Sequence, residues 1–416
     1  MNKTQKIAPL RSEIGLEHLE ALTASAHQVV ADVRSSMLAP EIRKKPPVFN
    51  STQLAELCHI DKSRVQYLIK KGELPPGSQE DSTRRSWTLQ EARVWVRSLR
   101  PEALKPSVSS ACVITVANFK GGVAKTTTAT ALAQGLSLRG HKVLVIDCDP
   151  QGSLTTLFGV LPDIEVEEED TIFPLCTGEQ TSILPSVQST YWDGIDLVAS
   201  APLLFNAEFM LPLKQTRDST FQFWRVLHNG LSEASEVYDV IIIDTPPSLS
   251  YITINALMAA DGVVMPLPPN TLDFASSAQF WSLFTDTCNS LFQRNPDKKK
   301  FHFLDVVLSR VDRNDAVSAA VRQWIVKAYG EHVLPIEIPK TSIAASASAS
   351  FGTVYDLDAG SVQAKTLKRA RDAYEQLVDQ IELQVQGVWQ AGVEVVNQFL
   401  AEREVRQNVA GAGEIP

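Results

Sequence analysis

Asn118-Phe119-Lys120-Gly121-Gly122-Val123-Ala124-Lys125-Thr126-Thr127 is the stretch that decides how this chain of 416 residues is read. An apolar run, residues 112–117, precedes it and a helix-compatible run follows. Paired glycines between a strand and a helix let the backbone bend so that successive N–H groups converge. The helix beginning near Lys125 turns its positive N-terminal end toward the same point, which makes the loop an anion cradle. Gly121, Gly122, Val123 and Ala124 supply amides, and Lys125 supplies a point charge for phosphate oxygens. Thr126 and Thr127 add hydroxyls, the first suited to ligate Mg2+. A second lysine, Lys120, heads the loop.

Two aspartate-bearing segments follow in order. Apolar residues 143–146 lead into Asp147-Cys148-Asp149-Pro150-Gln151-Gly152, and residues 240–243 lead into Asp244-Thr245-Pro246-Pro247. A carboxylate at a strand end near a terminal phosphate can orient an attacking water or hold Mg2+ through water. A later apolar run, residues 263–267, ends in Pro266-Leu267-Pro268-Pro269-Asn270. The rings of Pro268 and Pro269 can stack on a base, and Arg310, before Val311-Asp312-Arg313, is a candidate of the same kind.

The loop does not meet the GxxxxGK[ST] template, because Phe119 and Ala124 stand where its outer glycines would. It matches KGGxxK[ST] and resembles the deviant Walker A motif of the ParA/MinD superfamily, in particular the large ParA-type partition ATPases. Asp147 to Gln151 is similar to that family's DxDPQ segment, and residues 240–247 to its second aspartate-bearing strand end. The resemblance implies ATP/ADP and Mg2+ as cofactors, weak ATPase activity, and a homodimer that sandwiches nucleotide. Within it Lys120 reaches the ATP of the partner subunit, Lys125 serves its own, and Asp149 orients the water. Thr126, Asp147 and Asp244 surround Mg2+, and Pro268-Pro269 form the adenine side. Ala124 departs from the glycine common there.

Further apolar runs at residues 303–308 and 333–338, with helical segments between most of the six, suit a parallel sheet buried on both faces. The fold class expected is therefore α/β, a P-loop NTPase with a mostly parallel sheet flanked by helices, preceded by a helical DNA-binding domain. Residues 159–212 are less regular.

Ahead of the loop, Leu16, Leu19, Leu22, Ala26, Val29, Val30 and Val33 fall on one side of a helix, a possible dimerisation surface. Asn50 or Ser51 can cap a helix through Leu54, Leu57 and Cys58, and a second helix, residues 62–71, ends at Gly72. That second helix offers Lys62, Ser63, Arg64, Gln66 and Tyr67 to solvent and keeps Val65, Leu68 and Ile69 for the core. A hairpin through GSQEDSTRRSWTL carries Arg84 and Arg85, and residues 90–99 close the unit. The arrangement resembles winged helix-turn-helix domains of the MerR-like type, with a helix suited to the major groove and arginines to phosphates. The domains expected are residues 1–46, N-terminal helix and linker; 47–104, winged helix-turn-helix; 105–380, ATPase; and 381–416, C-terminal helix and tail.

At the other end, Lys340, Phe351 to Asp356 and the basic cluster Lys365, Lys368, Arg369 and Arg371 are similar to the segment before the family's last helices. The resemblance implies contact with nonspecific DNA there, Arg371 matching best by position. The helical region from residue 365 to about 406 reads as one long helix or two joined near 387–392.

Charge supports a local DNA contact. Residues 1–110 carry 17 Lys+Arg against 12 Asp+Glu, while the remainder carries 22 against 36. No apolar run of membrane-spanning length or secretory h-region appears, so a cytoplasmic, nucleoid-associated protein is expected, with no membrane contact. Residues 381–416 carry two arginines against five glutamates, which disfavours a basic membrane-binding helix of the MinD kind. Five scattered cysteines without a CxxC pair disfavour structural zinc and disulfides, and none follows Cys288 to bridge subunits through an iron–sulfur cluster. The function expected is ATP-dependent DNA partition, stimulated by a ParB-like centromere-binding protein, with operator DNA bound by the front domain to repress its own operon. The alternative is a nucleotide-responsive transcriptional regulator.

Overall fold

The computed structural model describes residues 14–37, 44–81, 84–292, 299–340, 352–356 and 364–411. The linker residues 41–43, Phe351 and the tail 412–416 lie outside them, as does the side chain of Arg84. Met1–Lys44 and Lys45–Pro416 are separate compact units. In the first, α1 (Leu16–Met37) exposes Leu16, Leu19, Leu22, Val29, Val30 and Val33. Among the described residues no helix is long and apolar enough to cross a membrane.

The second unit begins with β1 (Val48–Asn50), α2 (Ser51–Leu57), α3 (Lys62–Lys71), β2 (Ser78–Asp81), β3 (Arg84–Thr88) and α4 (Leu89–Leu99). Local chemistry sets each boundary. The Asn50 side chain accepts from the amides of Thr52 and Gln53 while Gln53 reaches back to Asn50, a reciprocal cap of about 1 kcal/mol. Asp61 caps α3, left-handed Gly72 ends it, and Thr88 with Glu91 caps α4. The three strands form an antiparallel sheet in the order β1-β3-β2. Trp87 and Trp95, both fully buried, each donate to the Pro75 carbonyl, at 3.1 and 2.9 Å.

Beyond it the chain alternates strand and helix. The elements are β4 (Cys112–Val116), α5 (Lys125–Leu138), β5 (Val143–Asp147), α6 (Ser153–Leu157), α7 (Phe173–Thr177), β6 (Gln188–Ser189) and β7 (Ile195–Val198). Next come α8 (Ala207–Arg217), α9 (Val226–Gly230), α10 (Ser232–Val237), β8 (Val240–Asp244), α11 (Tyr251–Ala259), β9 (Gly262–Leu267) and α12 (Thr271–Leu291). The last are β10 (Phe303–Val311), α13 (Ala316–Tyr329), β11 (Val333–Pro339) and α14 (Ala364–Gly411). The eight strands β4–β11 order as β11-β10-β9-β4-β8-β5-β7-β6, parallel throughout except β6, which runs antiparallel to β7. All six strands expected from the sequence are present. The two added ones, β6 and β7, fall in the stretch that looked irregular, where runs of two and four residues are too short to show a period.

Helices cover both faces. One core joins α5 and α14 through Leu132, Leu136, Leu377 and Val378, and includes Val65, Trp87 and Trp95 of the front part of this second unit, β1 to α4, called the front unit below. A Cβ on Gly135 would stand 2.5 Å from Val378, so glycine lets α5 and α14 approach. The C-terminal helix is a single one and passes without interruption through residue 380, where the sequence suggested a domain boundary. Its Ile381, Val385 and Trp389 are buried in the same core. Residues 105–110, at the start of the expected ATPase domain, are also held down. Lys105 Nζ donates to the carbonyls of Ser235 and Tyr238, and Ser109 donates to that of Trp389.

The C-terminal end of α5 is a three-way junction. From α4, Arg93 donates to the carbonyls of Ser137 (3.0 Å) and His141 (2.9 Å), and Arg97 donates to that of Gly140. From α14, Glu375 pairs with Arg139 at 2.9 Å, and Glu382 meets His141 at 2.8 Å and Arg100 at 2.9 Å. Cations at the free carbonyls of a helix end complement its dipole. The front unit is thus seated on the far end of the helix that begins at the glycine loop.

Candidate functional site

The glycine loop emerges from β4 at the C-terminal edge of the sheet, flanked by the ends of β8 and β9, where a strand-order reversal opens a crevice for ligands. Left-handed backbone at Gly122 (φ 74°) and at Ala124 (φ 77°), the residue capping α5, bends it. Ala124 pays for lacking glycine's freedom with roughly 1 kcal/mol. The Asn118 side chain ties the loop to β9, donating to the Pro266 carbonyl at 2.8 Å and accepting from the Lys120 amide. Sequence reasoning missed Asn118.

Lys125 is buried, and its ammonium donates to the Lys120 carbonyl at 3.0 Å. Burial pulls its pKa below the ordinary lysine range, opposed by the charges of Asp244 and Asp149. Thr126 donates its hydroxyl to Asp244 Oδ2 at 2.7 Å, while Asp244 Oδ1 is buried without a hydrogen-bond partner. A hydroxyl beside a carboxylate oxygen left unsatisfied is an oxygen donor set that suits Mg2+, so these residues fit the ion. Burial pushes the Asp244 carboxyl up to about 8, with the neighbouring Asp147 adding to it.

Asp147, which the resemblance gave to the Mg2+ shell, makes its hydrogen bonds within its own loop. Its Oδ2 accepts from the Thr155 amide (2.9 Å) and hydroxyl (2.8 Å), and its Oδ1 accepts from the Asp149 amide (3.1 Å). Fully buried, it shapes the loop that carries Asp149, whose own carboxylate caps the Gln151 amide at 3.0 Å. The partner Thr155 could not have been singled out from sequence.

The raised Asp244 pKa has a consequence for stability. Its folded state keeps a proton that the unfolded chain gives up at 3.8, so this contribution is complete below that pH and is lost as pH rises through about 8. Asp147, also raised mainly by burial, adds in the same direction. The melting temperature of the nucleotide-free protein should fall across this window, and Asp244→Asn should flatten the fall. A magnesium nucleotide should release protons on binding at neutral pH, seen by calorimetry as a heat that depends on the buffer's ionisation enthalpy. Equal heats in two such buffers would count against it.

Lys120 does not point at its own cradle's lysine. Its ammonium pairs with Asp273 at 2.7 Å, the lysine 39% exposed and the carboxylate 7%. Asp273 stands in the first turn of α12, whose cap Asn270 accepts from its amide at 3.0 Å. Pro268 and Pro269 are buried at the end of β9. Arg310, expected at the base, lies instead at the phosphate end, its guanidinium donating to the Gly122 carbonyl.

The DNA candidates divide. On α3, Lys62, Ser63, Arg64, Gln66 and Tyr67 are all exposed, and the Arg64 guanidinium lies 5.1 Å over the Tyr67 ring. Val65 and Leu68 are buried. Arg85 is partly turned away from solvent, donating to the Pro76 carbonyl at 2.8 Å. Lys340, Lys368 and Arg369 are exposed, the latter two beside Lys365 on an open groove of about 1060 Å3 that also holds Arg313 and Arg322. Arg371, the residue favoured by position, is half-buried. It donates to the carbonyls of Val354 (3.2 Å) and Tyr355 (3.3 Å) and lies 5.7 Å over the Tyr355 ring, which withdraws it from the exposed basic set.

A family model described as an AAA domain matches residues 111–294. Protein SopA of Escherichia coli (strain K12) is 28% identical over 332 residues, which make up 76% of this chain and 83% of SopA. A solved structure described as a partition protein has a TM-score of 0.62 at 19% identity, over 88% of this chain and 98% of its own, a likeness of fold. The chromosome partitioning protein ParA of Caulobacter vibrioides (strain NA1000 / CB15N) is 32% identical over 263 residues, 62% of this chain. Because that match takes in 92% of the Caulobacter protein, this chain belongs to the ParA-type partition ATPase family.

Proposed function

We propose that the chain is an ATP-dependent DNA partition ATPase, a two-state switch that closes as a homodimer on Mg-ATP and then holds nonspecific DNA. The observation that carries this reading is the pair of loop lysines with different partners: Lys125 buried over the cradle and Lys120 paired outside it with Asp273. A lysine that serves the loop's own phosphates has no need of a second beside it. Bound Mg2+, held by Thr126 and Asp244, would offset charge on the phosphates. Lys125 would hold the β- and γ-phosphates, the amides of residues 121–126 would cradle them, and Asp149 would orient a water toward the γ-phosphorus. Its attack forms a P–O bond as the bond to the ADP oxygen breaks. Asp149 sits half-exposed at the end of β5, where water can reach it. A phosphate-release assay on the full chain, with and without DNA and a ParB-like partner, tests this. Absence of both ATP affinity and turnover under all conditions contradicts it.

The same reading places DNA on Lys340, Lys365, Lys368 and Arg369, through phosphate neutralisation that weakens with salt. The front unit would act as a winged helix-turn-helix on an operator, with α3 in the major groove. Its support is that all five α3 candidates are exposed while Val65 and Leu68 pack inward. Footprinting with the full chain should show a preferred site that Arg64→Ala weakens by about tenfold, near 1–2 kcal/mol. Uniform protection with no preferred site would remove the operator limb. α1, with its apolar stripe, supports self-association, and the protein would reside in the cytoplasm on the nucleoid.

A further inference from the structure

Among the described residues three non-glycine residues have a left-handed backbone: His59, Ala124 and Arg310. Ala124 is accounted for as the cap of α5, whereas Arg310 (φ 52°) belongs to a strand end on the other side of the crevice. Local strain of this kind persists only where its surroundings hold it, and it gathers at functional sites. The strand itself is irregular here, because the pairing of β10 with β11 shifts register between Leu308 and Val311. Irregularities of this type re-aim side chains beside a site.

The result is a pair of bonds from consecutive residues to consecutive carbonyls. The Arg310 guanidinium donates to the Gly122 carbonyl, and the fully buried Ser309 hydroxyl donates to the Val123 carbonyl at 2.9 Å. In a trans peptide plane the N–H points opposite to the C=O. Holding the carbonyls of Gly122 and Val123 toward β10 therefore turns the amides of Val123 and Ala124 the other way. We infer that Ser309 and Arg310 are positioning residues, a brace that fixes these two amides as donors to the polyphosphate of a bound nucleotide before it arrives. Pre-set donors need no reorganisation on binding, which is why such a brace strengthens affinity. This rests on the nucleotide reading above and adds the residues that shape its cradle.

The test uses the full chain, with Mg-ADP affinity by calorimetry and melting temperature without nucleotide. Glycine adopts φ 52° without strain. Arg310→Gly should therefore melt at or above the parent yet bind Mg-ADP about tenfold more weakly, the equivalent of ~1.4 kcal/mol. Arg310→Lys, which retains a donor without the fork, should recover part of the loss. Ser309→Ala should melt lower and bind more weakly, since it leaves the Val123 carbonyl buried without its donor. A residue with only a structural role gives the opposite split, so an Arg310→Gly protein with lowered melting and parental affinity overturns the brace. So does one unchanged in both. A parent that binds no nucleotide overturns the brace together with the nucleotide reading, whereas parental binding matched by every variant overturns the brace alone.

Discussion

Lys125→Ala is expected to leave the purified chain without measurable affinity for Mg-ATP or Mg-ADP. The ammonium is buried at the mouth of α5, 3.0 Å from the Lys120 carbonyl and beside the charges of Asp244 and Asp149. Two charge-assisted contacts to phosphate oxygens are worth at least about 3 kcal/mol, more than a hundredfold in Kd. Removing the cation also takes away a neighbour whose charge lowers the Asp244 pKa, so this carboxyl keeps its proton to still higher pH. A protonated Asp244 is a poor partner for Mg2+, and the loss compounds. Calorimetry and fluorescent-nucleotide displacement at neutral pH check this, with circular dichroism to confirm the fold. A variant that binds within a few-fold of the parent would falsify the role given to Lys125.

Lys120→Ala is expected to behave in the contrasting way. Its ammonium is 39% exposed and engages Asp273 outside the cradle, so nucleotide affinity should stay within about threefold of the parent. What should disappear is ATP-dependent dimerisation and with it ATP-dependent retention on nonspecific DNA, the proposed work of a lysine that crosses to the other subunit. For the same reason Asp273 competes with closure: Lys120 has to leave a carboxylate that is 7% exposed. Asp273→Asn weakens that hold and should raise the dimer fraction at a given Mg-ATP concentration. Analytical ultracentrifugation with a slowly hydrolysed analogue, beside DNA pull-down at two salt concentrations, separates these outcomes. If Lys120→Ala still dimerises on nucleotide and stays on DNA, the division of labour between the two lysines is wrong.

The boundaries of the site were legible because each is a local event. Strand, glycine pair and helix start follow one another within residues 112–138, and the cradle needs only near neighbours to bend. The α3 boundaries were equally plain, since Asp61 caps it and Gly72 ends it within the same dozen residues. Less legible was where a side chain chose between solvent and a distant partner. Arg371 belongs to a visibly basic cluster, yet it binds the carbonyls of Val354 and Tyr355 once the chain before α14 lies beside it. Arg85 turns to Pro76 in the same manner. Asp147 matched the metal-binding pattern of a strand-end aspartate, but Thr155, eight residues on, supplies two donors to it. A carboxylate that finds its hydrogen bonds in its own loop has less left for an ion.

By itself the sequence determined the phosphate cradle, the six principal strands, the helical front unit and the family, because these are written in short-range spacing and backbone preference. Only the tertiary structure decided which side chains work together across the crevice. Arg310 reaches Gly122 over 188 positions, Ser309 reaches Val123 over 186, and Arg100 reaches Glu382 over 282. Sheet order β11-β10-β9-β4-β8 sets the first two of these meetings by laying strand ends side by side regardless of their order in the chain, and the packing of α14 beside α5, away from the crevice, sets the third. A hydrogen bond between residues so far apart leaves no period or spacing in the sequence, since either partner alone is an ordinary polar residue. The seat of the front unit on the end of α5, through Arg93 and Arg97, arose in the same way: helix-end carbonyls attract cations only after packing has brought them together.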